Sequence, residues 1–75
     1  MDYGTRFKER REYKEMTQTQ VAEKIGTTQQ QIYKYENNMQ EMTGSRIKEL
    51  CILYNVSADY ILGLKKGMDY PKIVG

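Results

Sequence analysis

The stretch from Thr17 to Asn37, TQTQVAEKIGTTQQQIYKYEN, constrains the fold more than any other part of the chain. Thr17 is followed three residues later by Gln20, and Thr28 by Gln31. Each pair has the spacing of a capping box: the threonine oxygen accepts an orphan first-turn amide, and the glutamine side chain reaches back to the cap. Between the two pairs stands Gly26, directly after the apolar Ile25. A glycine there supplies the left-handed backbone that ends one helix and reverses the chain. The spacing therefore predicts two short helices joined by a tight glycine-bearing turn, a helix-turn-helix unit.

The rest of the chain must complete one small core around that unit. At 75 residues there is room for a single domain, which buries only about 60% of its unfolded surface. Hydrophobic residues make up 39% and charged residues 29%, the composition of a folded domain rather than a disordered chain. The net charge of +2 permits nucleic-acid binding without demanding it. The single cysteine, Cys51, excludes an internal disulfide; with no histidine, zinc sites and Ser-His or Cys-His catalysis are excluded too. No cofactor is implied. No apolar run approaches the roughly 20 residues of a membrane span, and no signal-peptide core is seen, so the expected compartment is the cytoplasm. The sequon Asn55-Val56-Ser57 is then coincidental.

The first helix is expected over Tyr3 to Lys14, capped by Asp2 or Thr5, with Phe7 as its one large anchor. Lys8–Glu12 and Arg11–Glu15 fall at i,i+4 spacing and would support it by a few tenths of a kcal/mol. Met16 bridges to the second helix, where Val21, Ala22 and Ile25 form a core face and the small Ala22 admits a close neighbour.

In the third helix, about 100° per residue places Ile32 inward, with Tyr35 and Glu36 flanking it. Gln30, Tyr33, Lys34 and Asn37 point outward; Gln29 and Gln31 lie at the sides of the first turn. The resulting face holds amides, a phenol and a lysine, and no carboxylate. A glutamine side chain presents a donor and an acceptor in one plane, which matches the N6/N7 edge of adenine. At a helix N-terminus such residues are the first to enter a major groove, and the free amides of a helix start can receive phosphate oxygens. The plain alternative is that glutamines are neutral helix formers on a solvated face. Glu36, beside the buried direction, needs a cation if it is buried; Arg11 is the candidate, unless Glu36 merely skirts the edge in solvent.

Asn37-Asn38 ends the third helix, since asparagine tolerates the left-handed conformation. The loop Met39 to Thr43 carries Glu41 and no cation. A fourth helix from Gly44 or Ser45 to Tyr54 places Ile47, Leu50, Cys51 and Tyr54 in a core stripe and leaves Ile52 and Leu53 beyond it. Ser57 caps a last short helix, buried by Tyr60, Ile61 and Leu62 and closed by Gly63. Residues 1–63 form the domain in this reading, and 64–75 a tail that is mobile or belongs to an interface.

The series Arg6-Phe7-Lys8-Glu9, Met16-Thr17-Gln18, Val21-Ala22-Glu23-Lys24-Ile25-Gly26, Ile32-Tyr33-Lys34-Tyr35-Glu36-Asn37 and Val56 to Gly63 resembles the lambda-repressor-like, Cro-type helix-turn-helix family over residues 5–63. Thr27-Thr28-Gln29-Gln30 resembles the recognition helix of lambdoid phage repressors in particular. The resemblance implies an all-α, compact five-helix bundle that binds a near-palindromic operator in double-stranded DNA as a homodimer and regulates transcription, as a repressor. It implies that Gln18 clamps a phosphate, that Gln29 and Gln30 read base edges, and that Lys34 touches a base or phosphate. Thr28, Gln31, Tyr33 and Asn37 complete the expected DNA surface. Arg11 and Glu36 match the family's interhelical ion pair, with Arg11 also near a phosphate. Ile52, Leu53 and Tyr60 are the expected dimer surface.

Two departures qualify the resemblance. The glycine that often follows the helix-ending asparagine is Asn38 here, and the loop after it lacks the usual cations. Fewer cations release fewer counterions, so binding should be weaker and less salt-sensitive. The apolar Ile52-Leu53 pair also fits a rival reading, a protein-interaction module such as an antitoxin or a coactivator-like adaptor. Nothing in the sequence assembles an acid, a base and a nucleophile, so no enzyme is expected.

Overall fold

The computed structural model describes residues 3–64. It comprises five helices and, among those residues, no strand: α1 (Tyr3–Tyr13), α2 (Gln18–Ile25), α3 (Gln29–Glu36), α4 (Gly44–Tyr54) and α5 (Ala58–Leu62). Helix α1 packs against α3, α4 and α5, α2 packs on α3, and α4 on α5. The expected all-α five-helix bundle is what forms. The tail from 65 to 75 and the candidate cap Asp2 lie outside the described residues.

The helix ends follow the sequence signals closely. Thr17 Oγ1 accepts from Gln20 N at 3.0 Å and Gln20 Oε1 accepts from Thr17 N at 2.8 Å, a complete capping box. At α3 only half of the box forms. Thr28 Oγ1 accepts from Gln31 N at 3.1 Å, but the Gln31 side chain does not return to the cap, and its Nε2 is buried without a partner. Thr43 and Ser57 cap α4 and α5 through the amides of Arg46 and Tyr60. Gly26 (φ 75°) and Gly63 (φ 71°) end α2 and α5 in the left-handed region. Asn38 (φ 57°) and Asn55 (φ 52°) do the same after α3 and α4, which an asparagine tolerates better than most L-residues. The third non-glycine residue there, Glu15 (φ 55°), closes α1 with a Met16 N to Arg11 O bond of 3.1 Å.

Phe7, Val21, Ile32, Tyr54 and Ile61 are all but fully buried and form the centre, with Ala22, Tyr35, Met42, Leu50 and Cys51 around them. Burying each of the large side chains is worth about 1.5–3 kcal/mol. The Phe7 and Tyr54 rings lie tilted with centroids 6.2 Å apart, joining α1 to α4. Burial pushes the Cys51 thiol above its ordinary pKa, in keeping with a packing role. Tyr60, expected in the core, is 49% exposed. It instead forms a shelf for Arg6, whose guanidinium carbon lies 5.2 Å from its ring centroid while Nη1 donates to the Tyr60 carbonyl.

Helix α1 has few apolar side chains and is held by polar contacts that the sequence did not signal. Thr5, a candidate cap, lies inside the helix. The amide of Gly4 is instead satisfied by Asn38 Oδ1 at 3.2 Å, so the end of α3 caps the start of α1. The Tyr3 hydroxyl accepts from Met42 N at 3.0 Å, which fixes the α3–α4 loop and seats the buried Met42. The expected pairs Lys8–Glu12 and Arg11–Glu15 do not form; the two ion pairs among the described residues are Arg11–Glu36 and Arg46–Glu49. Arg11 is drawn to the buried carboxylate, α1 has ended before Glu15, and a solvated pair such as Lys8–Glu12 gains little against side-chain entropy.

At Gly4, α1 approaches the end of α3 too closely to leave room for a side chain. A Cβ there would lie 2.1 Å from the Tyr35 carbonyl oxygen and 2.7 Å from Asn38 Oδ1, whereas one on Gly44 would meet nothing within 4 Å. Gly4→Ala should therefore destabilise the domain by about 1–3 kcal/mol in urea denaturation. Gly44→Ala should be neutral or stabilising, by up to about 1 kcal/mol. Equal effects at the two sites would contradict this account of the α1–α3 contact.

Candidate nucleic-acid interface

A glutamine-rich face is useful to a partner only if the bundle turns it outward and holds it still. Ile32 (2% exposed), Tyr35 (7%) and Glu36 (4%) root α3 in the bundle. Gln29, Gln30, Tyr33, Lys34 and Asn37 are all exposed. Asn37 Nδ2 donates to the Tyr33 carbonyl at 2.8 Å, which closes the far end of that face. The exposed set contains no carboxylate. Gln31 departs from the expected surface: it is half-buried and its amide nitrogen is shielded from solvent. Thr28 is exposed, with its hydroxyl oxygen engaged by the cap.

The face is anchored from behind by Glu36. Its side chain is only 2% exposed, and it is paired with Arg11, 12% exposed. The pair is bidentate, with Arg11 Nε to Glu36 Oε2 at 2.7 Å and Arg11 Nη2 to Glu36 Oε1 at 3.0 Å. The remaining arm, Nη1, donates to the Met16 carbonyl at 2.8 Å, just before α2. A planar guanidinium suits this fork as a lysine ammonium would not. The hydrogen bond to Glu36 raises the Arg11 pKa above its already high ordinary value, against the opposing effect of burial. The nearby Tyr54 phenol is pushed up by burial first and by the charge of Glu36 second, with Arg11 pulling the other way. The solvated alternative for Glu36 is thereby set aside.

The structure adds a connection that the sequence reading missed. Gln18 Nε2 donates to Glu36 Oε1 at 2.9 Å, and Gln29 Nε2 donates to Gln18 Oε1 at 2.6 Å. One hydrogen-bonded series thus runs from α1 (Arg11) to α3 (Glu36), to the first residue of α2 (Gln18), and back to the first residue of α3 (Gln29). Gln18, expected to face a phosphate, is half-buried and has both ends of its amide engaged. The signal was present only as residue types, since 11 and 18 residues separate the partners. A second missed contact braces the turn: Arg46 Nη1 donates to the Ile25 carbonyl at 3.0 Å, tying the end of α2 to the start of α4.

Of the three residues expected to form a second surface, Ile52 and Leu53 border one hollow with Lys24, Ile25 and Glu49, and Tyr60 does not join them. Ile52 is 69% exposed and lines an apolar groove of about 690 Å³ between α4 and α5, floored by Ile47, Cys51 and Val56. Leu53 is half-buried against the core, and Tyr60 stands apart, beside Asp59 and Leu64. Among the described residues no cluster of His, Cys, Asp or Glu is arranged to hold a metal ion. No described helix is long and apolar enough to cross a membrane.

Arg11→Ala should cost about 3–5 kcal/mol in chemical denaturation, because it leaves the Glu36 carboxylate buried without its cation. Replacing both partners with apolar side chains, Arg11→Met with Glu36→Leu, should cost far less. A double variant as unstable as the single one would show that the charge pair itself, rather than the stranded carboxylate, dominates the energetics.

Comparison with known proteins agrees with this architecture. A family model described as helix-turn-helix matches residues 7–61, which span most of α1 through α5. The chain is 36% identical over 63 residues to the HTH-type transcriptional regulator ImmR of Bacillus subtilis (strain 168), covering 84% of this chain and 50% of that protein. It is 37% identical over 71 residues to the uncharacterized HTH-type transcriptional regulator YobD of the same organism, covering 95% and 62%. To the uncharacterized HTH-type transcriptional regulator y4wC of Sinorhizobium fredii (strain NBRC 101917 / NGR234) it is 35% identical over 57 residues, covering 76% and 40%. The chain thus spans roughly two-fifths to three-fifths of the length of these relatives. No solved structure matches it. The chain belongs to the Cro-type, lambda-repressor-like helix-turn-helix family, in which the relatives above are named as transcriptional regulators.

Proposed function

We propose that this domain binds double-stranded DNA in a sequence-specific way in the cytoplasm and represses transcription, with α3 entering the major groove. The observation that carries the reading is the exposed, carboxylate-free face of α3, braced from behind by the Arg11–Glu36 pair. A polyanion repels carboxylates, so a face without them beside one lysine suits the groove. Gln29 and Gln30, in the first turn, are positioned to meet base edges; Tyr33, Lys34 and Asn37 follow along the helix toward base or backbone. Thr28 at the helix start suits a phosphate. Gln18 has a second N–H that can still reach one, whereas Gln31 contributes from behind the contact face. Arg11 acts chiefly through Glu36, its three donor arms being directed into the protein.

Regulators of this kind bind near-palindromic operators as homodimers, with recognition helices about 34 Å apart in successive major grooves. The exposed Ile52 and the apolar groove beside it are the surface we assign to the second subunit; Leu53 adjoins it through the hollow it shares with Ile52, and Tyr60 lies outside it. The same groove also supports a second reading, an interaction module such as an antitoxin or coactivator-like adaptor. A solvent-exposed apolar cleft is uncommon on a monomer without a partner.

Two measurements test the proposal. Gln29→Ala should relax specificity at one base pair and cost about 1–3 kcal/mol there; uniform weakening across all sequences would argue against base reading by that residue. Ile52→Asp should shift the protein to monomer in sedimentation and weaken operator binding far more than half-site binding. No binding to any duplex at low salt, together with tight binding to a protein, would favour the second reading.

A further inference from the structure

We infer that Arg6 is a positioning residue for subunit association: from α1 it grips Tyr60 behind α5, and so fixes one wall of the apolar groove that the second subunit meets. This rests on the assignment of that groove to a second copy of the chain and adds to it the contact that sets the groove's shape.

Helix α5 has five residues, Ala58–Leu62, far below the roughly 12–15 at which a helix is stable alone. What holds it must come from the rest of the bundle. Ser57 caps its start, and Ile61 is its one buried side chain. A single anchor fixes where a short helix lies but resists its turning only weakly. Ala58 and Leu62, four residues apart, share the face that lines the groove. Tyr60 is two residues from each, about 200° round the helix, and so stands on the opposite side. There the Arg6 guanidinium makes two contacts at once. Its Nη1 donates to the Tyr60 carbonyl, an acceptor in the last turn of α5 whose other donor, Gly63 N, is 3.3 Å away. Its central carbon stands 5.2 Å from the centroid of the Tyr60 ring. A cation at that end of a helix is also favoured by the helix dipole. One planar group thus holds both backbone and ring, which a lysine ammonium cannot match. The contacts already described for Phe7, Gly4 and Arg11 tie α1 to α4 and α3 instead. Loss of Arg6 therefore loosens α5 without releasing α3. The other wall of the groove, Ile47, Cys51 and Ile52 on α4, stays where it is.

The test measures self-association by sedimentation equilibrium, and binding to a duplex selected from a random library by the wild type and to its single half-site. The wild type, Ile52→Asp, Arg6→Met, Arg6→Lys and Lys8→Met are compared. Lys8 is exposed on the same helix, so Lys8→Met reproduces the loss of charge alone. Arg6→Met should raise the dimer dissociation constant about tenfold or more, and Arg6→Lys should raise it by less. Lys8→Met should match the wild type within about twofold. Half-site binding should fall no further in Arg6→Met than in Lys8→Met. In the Ile52→Asp background, Arg6→Met should speed amide exchange at Ile61, Gly63 and Leu64, whose partners are Ser57, Tyr60 and Asp59, and leave Ile32 in α3 unchanged. An Arg6→Met chain that dimerises as tightly as the wild type would overturn the inference. Equal acceleration of exchange in α3 and α5 would do so too, since it marks a loss of stability throughout the domain. If Arg6→Met does not fold, Arg6→Lys decides the matter by the same readings. A wild type that stays monomeric on and off DNA, with Ile52→Asp changing nothing, would overturn the groove assignment and the inference with it.

Discussion

One buried carboxylate fixes the geometry of this domain. Glu36 takes two donors from Arg11 on α1 and one from Gln18 on α2 while sitting on α3. Desolvating a charge costs several kcal/mol even after relaxation, so it is tolerated only with full compensation. Three charge-assisted hydrogen bonds supply that compensation, and they are directional. Apolar packing of Phe7, Ile32 and Tyr35 holds the helices together without specifying register to better than the shape of the side chains allows. The ion pair sets the rotation of α3 about its axis, and with it the direction in which Gln30, Tyr33 and Lys34 point.

The same economy governs the rest of α1. Its apolar face is little more than Phe7 and the ring of Tyr3, so polar contacts complete its attachment. Gly4 permits the close approach, Asn38 caps the incoming amide, and the Tyr3 hydroxyl holds Met42. Asn38 thereby does more than the glycine relatives of this fold often carry. It accepts the left-handed conformation and also lends its side chain to the neighbouring helix. Helix α4, by contrast, is apolar beyond what the core uses, and Ile52 is the visible excess.

Much of this was legible in the sequence because the signals are local. Thr17, Gly26, Thr28, Asn55, Ser57 and Gly63 mark helix ends by backbone chemistry that acts within a few residues. Helical periodicity placed Ile32 inward and Gln30 outward, since 3.6 residues per turn leaves little freedom over eight residues. Glu36 showed itself as a charge on the wrong side of a helix, and Arg11 as the cation within reach. What was misread follows the opposite pattern. Gln31 shared the spacing of a capping residue, but its side chain is buried without closing the box. Tyr60 looked apolar enough for the core, yet a five-residue helix can bury only one face, and Ile61 took it. Glu15 in the left-handed region carried no signal, because glutamate is not a residue that prefers it.

The sequence by itself determined the five helices, the reversal at Gly26, and a carboxylate-free set of side chains on the outward arc of α3. These depend on backbone propensities and helical phase, which are properties of short segments. Only the tertiary structure decided that Asn38 would cap α1, that Gln18 would stand between Glu36 and Gln29, and that Ile52 would border an open groove. Each of those requires residues distant in the chain to meet at hydrogen-bond or van der Waals distance. No local pattern encodes such meetings, because the packing of the whole bundle fixes where the helices cross.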